Sequence, residues 1–126
     1  MRWIVDGMNV IGSRPDGWWK DRGRAMVTLV DKLDQWASGQ GDEVTVVFEQ
    51  PPPIAITSSV VAVAHAPKAA ANSADDEIVR LVQADTRPHD IRVVTSDKAL
   101  TDRVHTLGAS VCPADSFRNL IDPRRQ

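Results

Sequence analysis

Four aspartates stand where the chain changes character. Asp6 follows the apolar run Trp3-Ile4-Val5, and Asp97 follows Ile91 to Val94 by way of Thr95-Ser96. Asp75 and Asp76 follow Ser73-Ala74 at what reads as a helix start. Carboxylates crowded within a few ångströms repel, and one pKa rises strongly unless a cation neutralises them. A hard divalent ion such as Mg²⁺ or Mn²⁺ is the usual neutraliser, held by one or two carboxylates together with waters and a substrate phosphate. An ion of that kind lowers the pKa of bound water, orients it, and stabilises the leaving oxygen when a phosphodiester is cut. Asn9, one turn beyond Asp6, is placed to position a carboxylate or a water.

Each acid also has a plainer reading. Ser73 with Asp76 fits a capping box, and acids are favoured at helix N-termini by the dipole. Asp6-Gly7 fits a turn, and Ser96-Asp97 ahead of a helix fits an N-cap. What weighs toward chemistry is whether the three segments meet, which depends on the elements that carry them.

Val44 to Phe48, Val60 to Val63, Ile91 to Val94 and Ala109 to Cys112 join Trp3 to Val5 as apolar runs of strand length. From Trp18 to Ala37 apolar residues recur at helical spacing (Met26, Leu29, Val30, Leu33, Trp36), and Gly39-Gln40-Gly41 ends that helix. Pro51-Pro52-Pro53 makes an exposed loop. Ile78, Val79, Leu81 and Val82 mark a helix from Ser73, a short helix runs from Lys98 to Leu107 before Gly108, and Asp115 opens a last one with Phe117 and Leu120. Strands apolar throughout and mostly alternating with helices imply a mainly parallel sheet covered on both faces. Ligands of such sheets bind beyond the carboxyl ends of the strands, near the switch in strand order. Asp6 and Asp97 end strands, and Asp75-Asp76 start a helix that begins on the same edge. Three segments thus converge on one place.

The 126 residues make one domain with a core, with 122–126 expected to fray. Apolar content of 42% and charged content of 25% fit an ordinary globular chain and exclude disordered or disulfide-framed classes. The single cysteine, Cys112, fits a reducing compartment and reads as a small core residue. No apolar run approaches membrane length and strand-like sequence starts at once, so a cytoplasmic protein with no membrane partner is expected. A net charge of −2 argues against a protein that coats nucleic acid by charge alone.

Ile4-Val5-Asp6-Gly7-Met8-Asn9-Val10-Ile11-Gly12-Ser13 resembles the opening of the NYN domain, a PIN-like nuclease fold, in its YacP-like branch. Ser73-Ala74-Asp75-Asp76-Glu77-Ile78 and Val93-Val94-Thr95-Ser96-Asp97 resemble that branch's second and third motifs, in order and at fitting distances. Trp18-Trp19-Lys20-Asp21-Arg22 adds to the likeness, which covers nearly the whole chain. The resemblance implies a Rossmann-like three-layer α/β fold with a five-stranded sheet ordered 3-2-1-4-5, and a divalent-metal-dependent endoribonuclease. By motif match Asp6, Asp76 and Asp97 are the metal-binding and catalytic acids, with Asn9 catalytic and Asp75 a further metal ligand beside them. Which of Asp75 and Asp76 points inward is open at this point. Two departures stand out. Lys98-Ala99 follow Asp97 where many relatives carry a further acid, with Asp102 one turn on as its substitute, and Glu49 ends the second strand where Asp is expected.

RNA, whether messenger, transfer or ribosomal, is the partner implied, and the ribosome is a further candidate. Arg14, Lys20, Arg22 and Arg24 lie just after the first motif and are placed to hold phosphates, with Trp18 or Trp19 stacking on a base. Ser96 joins the substrate-binding candidates. Arg118, Arg124 and Arg125 read as a soluble basic tail. His65, His89 and His105 lack metal-ligand spacing. No dinucleotide fingerprint or P-loop is present, and Met8 stands where an aspartyl-phosphatase would want Asp. The rival from another class is a PIN-like module that grips RNA or the ribosome without cutting.

Overall fold

A computed structural model describes residues 1–13, 17–52, 56, 58, 60–66 and 73–121. Five parallel strands form one sheet: β1 (Arg2–Asp6), β2 (Glu43–Phe48), β3 (Ala62–His65), β4 (Ile91–Val94) and β5 (Ser110–Cys112), in the order β3-β2-β1-β4-β5. The sheet is wholly parallel, where a mainly parallel one is expected from the sequence. The helices are α1 (Gly7–Ile11), α2 (Arg22–Gln40), α3 (Ser73–Ala84), α4 (Lys98–Thr106) and α5 (Ala114–Ile121).

Side chains of the central strands alternate between two cores, because successive Cβ atoms point to opposite faces. Trp3, Val5, Val46 and Phe48 pack with Val10, Met26, Leu33 and Phe117, so α1, α2 and α5 cover one face. Ile4, Val47 and Val93 pack with Ile78, Val82, Leu100 and Val104, so α3 and α4 cover the other. Trp3, Trp36 and Phe117 form a three-ring cluster with centroids 5.2 to 5.3 Å apart.

The chain winds from β1 outward to β2 and β3, then crosses back to set β4 on the other side of β1. That reversal opens the crevice where ligands of such sheets bind. Val5 pairs with Val94 in register, so the residues that follow, Asp6 and Thr95, emerge side by side at its floor.

Several element boundaries depart from the sequence expectation, each for a local reason. Asp6-Gly7 begins α1 instead of a turn. The helix expected from Trp18 is a 3₁₀ turn over Trp18–Lys20, a break, and α2, whose N-cap Asp21 accepts the Arg24 amide at 3.0 Å. Gly39 and Gln40 lie inside α2, which ends at Gly41 with φ of 72°, a left-handed conformation that suits glycine. The strand expected at Val60 starts at Ala62, because the Val60 and Val61 amides donate to Asp34 Oδ1 at 3.1 and 2.9 Å. Ala109 donates to the Val104 carbonyl rather than to a neighbouring strand, so β5 begins at Ser110. Cys112 is half-buried on that edge strand and packs against the rim of the first core. Among the described residues no helix is long and apolar enough to cross a membrane.

Candidate active site

Gly7 fixes how the first acid is presented. A Cβ at Gly7 would lie 2.5 Å from Phe48 Cε1, so only glycine lets α1 start hard against the end of β2. The chain turns there and leaves Asp6 as the N-cap of α1, yet its side chain makes no cap hydrogen bond to the helix. Asp6 is 6% exposed. Burial, then the charge of Asp75, push its pKa up to about 7, with the Asp97 charge adding less. A hydrogen bond from Thr95 and the nearby Asn9 amide offset part of that rise.

Thr95 links two of the acids. Its hydroxyl donates to Asp6 Oδ2 at 3.1 Å and accepts the Asp97 amide at 3.1 Å, while its own amide donates to Cys112 in β5. The side chain is fully buried at 1% exposure. Asp97 caps α4, its Oδ1 accepting the Leu100 amide at 2.8 Å. The capping reading of Ser96-Asp97 is therefore correct for Asp97, and the cap fixes where this carboxylate stands. Asn9 Oδ1 accepts the Ser96 amide at 2.9 Å, and Ser96 Oγ accepts the Ala114 amide at the start of α5. Asn9 and Ser96 thus tie α1, the end of β4 and α5 together around the crevice.

The two acids of α3 go different ways. Asp75 is partly buried, and burial followed by the Asp97 charge raises its pKa, with smaller contributions from Asp76 and Glu49 and a counter-effect from Arg103. Asp76 is turned outward, its side chain 74% exposed and paired with Arg103 at 3.0 Å. The side chain that shares a field with Asp6 and Asp97 is Asp75. Ser73 is the first residue of α3, and its hydroxyl donates to the Glu49 carbonyl at 3.1 Å, fastening the helix start to the end of β2. Glu49 is exposed on the same edge and adds to its negative field. Asp102 is exposed on α4.

Carboxylate oxygens are hard donors, the kind that suits Mg²⁺ or Mn²⁺. Among the described residues no three His, Cys, Asp or Glu side chains converge closely enough to cage an ion by themselves. The set fits an ion that takes one or two carboxylates and fills the rest of its shell from water and phosphate.

Of the substrate-contact candidates, Lys20 and Arg22 are exposed at and just after the 3₁₀ turn, and Trp19 is 52% exposed beside them. Arg14 and the Trp18 side chain lie outside the described residues, as do Arg124 and Arg125. Arg118 is no tail residue. Its Nη1 donates to the Val10 and Ile11 carbonyls at 3.1 and 2.9 Å, closing the end of α1. Thr95 and Arg103 belong to the acid edge and escape sequence reasoning. A polar β-branched residue between an apolar strand and an N-cap is the signal for Thr95, whereas Arg103 meets Asp76 across 27 residues and leaves no local trace.

No curated protein matches the chain. Among solved structures it is similar to Rae1 (YacP) from Bacillus subtilis, at 27% identity and a TM-score of 0.81, over 97% of this chain and 74% of that one. A point mutant of the same Bacillus subtilis protein is similar at 25% identity and a TM-score of 0.78, with the same coverage. A family model of the YacP-like NYN domain matches residues 3–126, so the chain belongs to the YacP-like NYN domain family, a PIN-like nuclease family, and is a nuclease-type domain.

Proposed function

We propose that the protein is a divalent-metal-dependent endoribonuclease whose acids are Asp6, Asp75 and Asp97. The observation that carries this reading is the shared field of three carboxylates from β1, α3 and the end of β4. Asp6 and Asp75 each have a raised pKa, caused first by burial and then by another acid of the set. Holding such charges together is costly without a cation, and family membership supplies the chemical class. Mg²⁺ or Mn²⁺, when bound, supplies an activated water and neutralises the phosphate being cut.

The chain's own residues do the rest. Thr95 holds Asp6 Oδ2 and the Asp97 amide, so two acids move as one unit. The α4 cap takes Asp97 Oδ1, so Oδ2 is the oxygen with which Asp97 would hold an ion. Asp6 holds a proton up to near neutral pH and would give it up on holding a cation. Asn9 orients the Ser96 backbone at the crevice wall. Arg103 holds Asp76 outside the set and stands within reach of a phosphate entering beside Asp75. Lys20, Arg22, Ser96 and the exposed Trp19 are the side chains proposed to contact the RNA backbone and a base, with Arg14 and Trp18 proposed alongside them from the sequence.

The second reading is a module that grips RNA or the ribosome without cutting. The observation in its favour is that no three acid side chains cage an ion unaided among the described residues. Cleavage of labelled RNAs in Mg²⁺, in Mn²⁺ and in EDTA, beside Asp97→Asn, separates the two. Asparagine caps helices as well as aspartate does, so this variant removes the charge and keeps α4. Cutting that needs the metal and vanishes in Asp97→Asn is the expected result. RNA retention without cutting under either metal would establish the binding module instead.

A further inference from the structure

One arginine stands before both acids of α3. Arg103, reaching across from α4, donates Nη1 to Asp76 Oδ1 at 3.0 Å. Its charge also bears on Asp75, where it opposes the rise in pKa. The choice of partner runs against need. Asp75 is the more buried of the two acids, whereas the Asp76 side chain is 74% exposed. A carboxylate withdrawn from water loses more by lacking a partner than one left in it. Yet among the described residues Asp75 makes no hydrogen bond or ion pair, and the arginine is spent on the acid that water already solvates.

We propose that Asp76 is a guard, holding Arg103 off Asp75 so that the inward carboxylate stays open to a cation. A guanidinium fork fits a carboxylate through two parallel N–H bonds. Set on Asp75, it would occupy the oxygens that an incoming ion needs, and the ion would first have to break that pair. Asp76 prevents this by offering the same charge one residue on, about 100° around the helix, where pairing withdraws neither partner from water. Neither Asp76 nor Arg103 would touch the ion, so both are positioning residues. The proposal rests on the metal reading of the edge and adds to it what keeps the site vacant for metal. Saturating metal hides the effect, because the ion then displaces Arg103 wherever it lies, so the measurement belongs at limiting metal.

The test is Mn²⁺ binding to the full chain without RNA, followed by electron paramagnetic resonance, in wild type, Asp76→Asn, Arg103→Gln and the double variant. Asp76→Asn should weaken Mn²⁺ binding about fivefold, the scale of one exposed ion pair that the metal has to break. The same substitution made on Arg103→Gln should change Kd by about twofold or less, because only the screened charge of Asp76 is then lost. Equal losses in the two backgrounds would mean that Asp76 acts on the ion by its own charge, and no loss in either would mean that Arg103 never competes. Either result would overturn the proposal. A metal-free crystal structure of Asp76→Asn reads the rearrangement directly. Arg103 should lie on Asp75 there, and an Arg103 that stays in place or turns to solvent would overturn the proposal without reference to metal. Wild-type protein that binds no Mn²⁺, beside a variant structure with Arg103 on Asp75, would sink the metal reading alone.

Discussion

Asp6 sits among apolar strand residues with one hydroxyl donor on its carboxylate, and the consequence is a pKa of about 7. An unfolded chain would titrate it near 3.8. The folded state therefore binds the proton more tightly, and Asp6 costs stability as pH rises from about 4 through about 7, with no further cost above. Its neutral analogue escapes that cost. In EDTA, Asp6→Asn should be as stable as the wild type at pH 4 and more stable at pH 8, by up to about 4 kcal/mol at about 1.4 kcal/mol per pH unit. Urea unfolding at the two pH values reads the difference, and an equal shift at both would place its origin outside this carboxyl. Thr95 offers a second check at this scale. Thr95→Val keeps the shape and leaves both Asp6 Oδ2 and the Asp97 amide short of a partner in the core. A loss of about 1–3 kcal/mol is expected in the same assay, and a smaller one would mean that water takes the hydroxyl's place.

The elements carry the acids to the edge by tight local packing. Gly7 is the clearest case, because a methyl there meets the Phe48 ring at 2.5 Å and one of the two must move. Gly7→Ala should cost about 1–3 kcal/mol, the usual range for an overfilled core, measured by thermal or urea unfolding. Strands apolar throughout were readable in the sequence because the central ones are buried on both faces, and so was the end of α2 to within the stretch Gly39 to Gly41. The short α1 was not, since five residues hold too few periods for a helical pattern. The start of β3 was missed because Asp34, on α2, takes the amides of Val60 and Val61. Asp75 and Asp76 are adjacent at a helix start, where about 100° of rotation separates them and no earlier turn sets the phase. Local sequence thus delivers two acids to the edge, and only the packing of α3 on β1 and β2 selects between them. Arg118 looked like tail charge for the same reason, as its acceptors lie 107 and 108 residues away.

At the scale of the molecule, the switch in strand order between β1 and β4 makes one site from three distant segments. Asp6, Asp75 and Asp97 span most of the chain, and parallel winding returns each to the carboxyl edge. On the proposed reading, a bound ion would offset the acids of that edge in a chain whose net charge is −2. If that edge cuts RNA as proposed, it does so through the inward acid of α3 and not the outward one. The most direct measurement is the rate of RNA cleavage in saturating Mg²⁺ by Asp75→Asn beside Asp76→Asn, with both variants shown to be folded. Loss of roughly 10²-fold or more in Asp75→Asn is expected, on the scale of removing a group that acts at the reacting centre, with Asp76→Asn staying within a few-fold of the wild type. Equal losses, or the larger loss in Asp76→Asn, would contradict it.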